Sequence, residues 1–83
     1  MNMIDCVRVR LRVAGHVAEY FPGGRREFDL TPPAGSTVAS LLDGLGVPSA
    51  VVMGATVDGV RRPLSHVVAD GDTVVVLAPP AGG

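Results

Sequence analysis

Few side chains in this sequence could carry nucleophilic or metal chemistry. Cys6 is the single thiol, and His16 and His66 are the two imidazoles. Their separations match no metal-ligand spacing. A Cys6–His pair would depend on the fold to bring it together, and no third residue that could orient the base is recognisable. Cys6 reads as a small hydrophobe at a strand edge. The two histidines read as surface or loop residues rather than ligands. Asp70 and Asp72 flank Gly71, the pattern of a turn whose carboxylates bond nearby backbone, more than of an acid–base pair. Gly23-Gly24 lacks the Lys and Ser/Thr that follow in a phosphate-binding loop.

That leaves the end of the sequence, Pro79-Pro80-Ala81-Gly82-Gly83. Two prolines favour an extended, polyproline-type stalk. Two glycines carry no side chains, so they can enter a narrow channel in another protein and adopt backbone angles closed to other residues. The reactive group would be the Gly83 α-carboxylate. A carboxylate is a poor electrophile until activated, for example by transfer to AMP in a partner enzyme. The alternative is a frayed terminus with no role.

The elements that would present such a tail follow from hydrophobic period. Val7, Val9, Leu11 and Val13 alternate with Arg8, Arg10 and Arg12, which predicts a half-buried strand over 6–13. The arginine stripe is either a solvent face or a contact for an acidic partner. A short helical turn is expected over 14–20, then a break at Phe21-Pro22-Gly23-Gly24. Phe28 and Leu30 alternate within a second strand over 26–30. Ser36 or Thr37 can cap a helix of about ten residues whose Val38, Leu41, Leu42 and Leu45 follow the i, i+3, i+4, i+7 spacing. Gly46 and Pro48 end it. A third, central strand is expected over 51–57, the Asp58-Gly59 pair signals a two-residue hairpin, and a short fourth strand covers 60–62. Residues 64–69 read as an irregular return, and 73–78 as a buried final strand. The prolines beyond cannot join a sheet interior.

A chain of 83 residues bounds the answer to one domain. With 47% hydrophobic and 18% charged residues it falls in the globular class. The net charge of −1 gives no broad pull toward nucleic acid, and no basic surface interleaved with aromatics offers a single-strand platform. No apolar run is long enough to span a membrane, and the first residues do not resemble a signal peptide. With one cysteine, a cytoplasmic setting is expected. All seven basic residues are arginine. That reflects either compositional bias or the benefit of keeping amines away from an activated terminus, since arginine is a poor nucleophile.

Strand–strand–helix–strand–strand followed by a diglycine resembles the ubiquitin-like sulfur carriers of the MoaD/ThiS family. The segments that carry the likeness are AGSTVASLLDGLG (34–46) and LSHVVADGDTVVVLAPPAGG (64–83). The resemblance implies an α+β, β-grasp fold: a mixed sheet of four to five strands with one main helix across one face. It divides the chain into a domain over 1–78 and a flexible tail over 79–83. It also implies a non-catalytic carrier that binds no cofactor itself. A ubiquitin-activating-type adenylyltransferase, using ATP and Mg, would adenylate the Gly83 carboxylate. A sulfur donor such as a sulfurtransferase or desulfurase would convert it to a thiocarboxylate. An acceptor enzyme, such as the molybdopterin synthase large subunit, would take the sulfur. Gly82, Ala81, Pro80 and Pro79 would thread into the partner, and Val60, Leu64, Val76 and Ala78 would dock on it. The proline pair is similar to that of the molybdopterin synthase small subunit, although one residue rather than the usual two separates it from the glycines. The GHVAEYFPGG loop (15–24) is unusual for the family. Alternatives are a carrier for thiamin, cysteine or another thio-metabolite, a modifier conjugated to target proteins through Gly83, and a binding module whose tail is inert.

Overall fold

The computed structural model describes residues 5–78. Its strands are β1 (Val9–Val13), β2 (Glu27–Leu30), β3 (Gly54–Val57), β4 (Val60–Arg62) and β5 (Asp72–Leu77), with one α-helix, α1 (Val38–Gly44). The sheet order is β2-β1-β5-β3-β4. β1 and β5 run parallel, and the other neighbours are antiparallel. This is the mixed, helix-covered α+β sheet expected of a β-grasp protein, at the five-strand end of the range.

Alternation in β1 puts Val9, Leu11 and Val13 inside and both Arg10 and Arg12 outside. In β5, Val74 and Val76 are fully buried while Thr73, Val75 and Leu77 are half-buried. The final strand is therefore central, but only one of its faces is core. Phe28, Ala55 and Val57 extend the buried face, and Val38, Leu41 and Leu42 of α1 pack onto it. The 3₁₀ segment Gly15–Tyr20 adds Val17 and Ala18, and Phe21 meets Phe28 with ring centroids 5.8 Å apart. Arg25 lies 4.9 Å above the Phe28 ring, closing that end of the core with a cation–π contact.

Helix α1 is seven residues long, shorter than its periodicity suggests. Leu45 is the C-terminal cap and Gly46 takes φ +76°, the left-handed stop. Thr37, not Ser36, is the N-cap: its Oγ1 accepts from the Ser40 amide at 3.1 Å, and Ser40 Oγ accepts from the Thr37 amide at 2.9 Å. The next two orphan amides of the first turn reach outside the helix. Val38 N–H donates to the His66 carbonyl at 3.0 Å and Ala39 N–H to the Leu64 carbonyl at 2.9 Å. The irregular 64–69 return is thus the second half of the helix cap.

Among the strands, the starts of β1 and β3 differ most from the sequence reading. Pro48 leads into a 3₁₀ turn, Ser49–Val51, so β3 begins at Gly54 rather than residue 51. Cys6 is exposed and forms an isolated bridge with Pro33, outside β1. Asp58 and Gly59 have φ of +50° and +86°, the double left-handed conformation of the tight hairpin expected there.

Leu42 has no exposed surface, so Leu42→Ala should cost about 2–5 kcal/mol from lost burial and the residual cavity. Thr37→Ala should cost about 1 kcal/mol. Urea denaturation checks both as a lowered midpoint at constant slope. Similar losses for the two variants would contradict the packing described.

Candidate functional site

Two of the side chains that first suggested chemistry, Asp70 and Asp72, are occupied with structure, as is the hairpin residue Asp58. Asp70 Oδ1 accepts from the Arg8 amide at 2.7 Å, Asp72 Oδ2 from the Ala69 amide at 2.8 Å, and Asp58 Oδ1 from the Thr73 amide at 3.0 Å. Each carboxylate fixes a turn. Among the described residues no three His, Cys, Asp or Glu side chains gather where a metal ion could sit. No helix among them is long and apolar enough to cross a membrane.

The place where function can concentrate is the end of β5. The Val76 carbonyl accepts from Ala14 N–H at 2.9 Å and the Leu77 carbonyl from Met53 N–H at 2.8 Å. The strand is held from both sides until its last residue. Gly15 has φ +75°, and a Cβ built there would lie 3.1 Å from Ala78 Cβ. This position requires glycine for its backbone angle and for its closeness to Ala78. On the other flank Gly54 pairs with Leu77, and the Arg61 guanidinium lies over its Cα, 2.8 Å from where a Cβ would be. Residues 79–83, which include the whole of the expected tail-threading segment and Gly83, lie outside the described residues.

The sheet face opposite α1 is the surface next to this exit. Cross-strand register places Glu27, Arg12, Val75, Thr56 and Arg61 in one row of it, and Asp29, Arg10 and Thr73 in the next. Arg10 pairs with Asp29 at 3.2 Å and Arg12 with Glu27 at 3.4 Å. All four are well exposed, so these pairs contribute little stability. The arginine stripe is a solvent-facing row that is partly neutralised by β2.

The expected docking residues separate in the structure. Val76 has no exposed surface and belongs to the core, so it cannot dock. The outward residues of β5 are Thr73, Val75 and Leu77. A one-residue error of parity exchanges the two faces of a strand, and a run of Val-Val-Val-Leu gives no alternation to prevent it. Val60 is 51% exposed but pairs with Val57, whose side chain is on the helix side, so it stands at the sheet edge and not on the open face. Leu64 is half-buried and shares a shallow depression with Met53, Gly54, Arg61 and Arg62. Ala78 is half-buried against Gly15. Met53, 48% exposed beside the exit, was not legible in advance, because the segment read as a buried strand.

A family model described as Mut7-C ubiquitin matches residues 6–80. The chain belongs to that family. No curated protein matches the sequence. Among solved structures, the Haloferax volcanii HVO 2177 protein superimposes with a TM-score of 0.75 at 19% identity, covering 100% of this chain and 92% of that one. SAMP1 of the same organism gives 0.69 at 21% identity, covering 92% and 99%. A putative molybdopterin converting factor subunit 1 from Pyrococcus furiosus gives 0.67 at 18% identity, covering 89% and 99%. The fold is therefore the ubiquitin-like, MoaD/ThiS-type β-grasp, carried here by a Mut7-C ubiquitin sequence.

Gly15→Ala combines a left-handed backbone with a crowded Cβ, whereas Gly24→Ala (φ +66°) has the angle alone and open space around it. Both should lose about 1–2 kcal/mol, with Gly15→Ala the more damaging and the only one to shift the Leu77 and Ala78 amide resonances. Equal losses and unshifted resonances would remove the close approach from the description of the exit.

Proposed function

We propose that this protein is a ubiquitin-like carrier that presents the Gly83 carboxylate for activation by a partner enzyme and supplies no catalytic side chain of its own. The observation that carries this reading is the placement of β5. The strand leading to Gly82-Gly83 is the central one of the sheet, clamped on both sides up to Leu77. A rigid root fixes where the last residues start. The open face, with Val75, Leu77 and Arg61, and the exposed Met53 beside the exit offer the adjoining surface for the partner.

In the proposed sequence the Gly83 carboxylate oxygen attacks the α-phosphorus of Mg-bound ATP in an adenylyltransferase, and pyrophosphate leaves. Hydrosulfide then attacks the acyl carbon. The acyl–phosphate C–O bond breaks, AMP leaves, and Gly83 carries a thiocarboxylate. That sulfur passes to a biosynthetic acceptor, with molybdopterin formation the leading pathway. The solved structure described as a molybdopterin converting factor subunit supports this assignment through the shared fold. The structure described as a small archaeal modifier protein supports the related reading, in which activated Gly83 is transferred to amines of other proteins.

The family match covers residues 6–80, so it supports the folded domain and carries no argument about the diglycine. The second reading is a binding module that acts through its folded surface.

Intact-protein mass spectrometry separates these readings. Protein isolated from its own cells first reports whether Gly83 is the last residue. Incubation with an adenylating enzyme from the same source, Mg-ATP and sulfide should then raise the mass by the replacement of one oxygen with sulfur, and deletion of Gly83 should abolish the rise. An unchanged mass, with the enzyme active on another carrier, would reject the carrier reading in favour of the surface-binding module.

A further inference from the structure

Two guanidinium groups flank the end of β5. On one side Arg26 Nη1 donates to the Gly15 carbonyl at 2.8 Å and to the Val13 carbonyl at 3.4 Å, and Gly15 is the residue pressed against Ala78. On the other side the Arg61 guanidinium lies on Gly54, with Nη2 and Nε 2.8 and 2.9 Å from a built Cβ, and Gly54 is the sheet partner of Leu77. The ion pairs of the described residues use Arg10 and Arg12 instead.

Five residues follow Ala78 in the sequence. A five-residue segment reaches at most about 17 Å, and both arginines flank its root, so side chains at these two positions fall within the span open to an acyl group on Gly83. A nucleophile on so short a tether competes with the intended acceptor at an effective concentration of millimolar order. A lysine at either position would have an ordinary pKa of about 10.4 and would supply neutral amine. A guanidinium stays protonated and offers no nucleophilic lone pair.

We propose that Arg26 and Arg61 keep the root of the tail cationic while withholding an acceptor amine, so that activated Gly83 is not captured by its own domain. In the capture they prevent, a neutral amine nitrogen attacks the acyl carbon. A C–N bond forms, the bond to the leaving group breaks, and the amine's proton passes to the departing group. The remaining basic side chains are arginine too, seven in all, which extends the same property to every basic side chain. The proposal rests on the carrier or modifier reading, since both require an activated Gly83.

The test supplies the acyl donor directly. The full chain is prepared with a Gly83 α-thioester by thiol release from an intein fusion, so no adenylating enzyme is involved and failure of activation cannot be mistaken for failure of this proposal. At about pH 9 roughly 4% of an ordinary lysine is neutral. The wild-type thioester should mainly hydrolyse. Arg26→Lys and Arg61→Lys thioesters should instead yield a ring lighter than the thioester by one thiol, formed at least about tenfold faster than in the wild type. Arg8→Lys serves as a distant control. The Arg8 carbonyl bonds Gly71 at the far end of β5, roughly 23 Å from Ala78 at strand spacing, and this variant should behave as wild type. Circular dichroism confirms that each variant is folded. Hydrolysis at the wild-type rate in both near variants, or products that are dimers rather than rings, would overturn the proposal.

Discussion

The structure depends on β5 being the last strand in sequence and the middle strand in space. It hydrogen-bonds β1 in parallel and β3 in antiparallel register, so neither half of the sheet joins the other without it. Parallel pairing between β1 and β5 is a long-range contact, and its loop-closure cost falls on everything in between. Val74 and Val76, both fully buried, offset that cost by filling the space beneath α1. The strand that carries the chain toward Gly83 is thus the one whose loss would open the core. A tail rooted here is anchored as firmly as the fold itself.

The helix is secured by the same economy of backbone. Seven residues are too few for a helix to be stable by propensity alone, and α1 survives because its first-turn amides are all met. Thr37 and Ser40 satisfy two of them reciprocally, while the Leu64 and His66 carbonyls satisfy the others. Val68 N–H returns to the Ser36 carbonyl at 2.9 Å, and Thr37 bridges Val67. The 64–69 segment therefore ties the helix start to the strand that follows it. Its backbone must bend to reach donors on a helix end, and that is why it shows no regular period in the sequence.

Much of the architecture was legible because local and global signals agreed. Alternating Val and Arg in β1, the helical spacing from Val38 to Leu42, and Asp58-Gly59 each pointed to the element that forms. What failed lay where pattern carries no phase. The apolar stretch before Gly54 contains a 3₁₀ turn imposed by Pro48, which composition could not distinguish from strand. The Val-rich run of β5 fixed the strand but not its faces, so Val76 was placed outside when Val75 and Leu77 are. Face assignment came only from register with β1, where the arginines mark the outer side. Met53 and Gly54, which shape the exit, gained their meaning only through pairing with Leu77, a contact between segments far apart in sequence.

The distribution of polar groups bears on what such a protein can do. Among the described residues no buried side chain is polar or charged and none is left without a hydrogen-bond partner. Catalytic sites are places where buried or crowded titratable groups are kept at some cost to stability. Here the carboxylates of Asp58, Asp70 and Asp72 hold turns, and Glu27 and Asp29 face solvent beside arginines. What the fold can offer is placement: a clamped strand end, an adjoining half-apolar face, and guanidinium groups on either flank. In the proposed carrier reading the chemistry comes from the partner, and the folded domain contributes a defined root for the end of its chain.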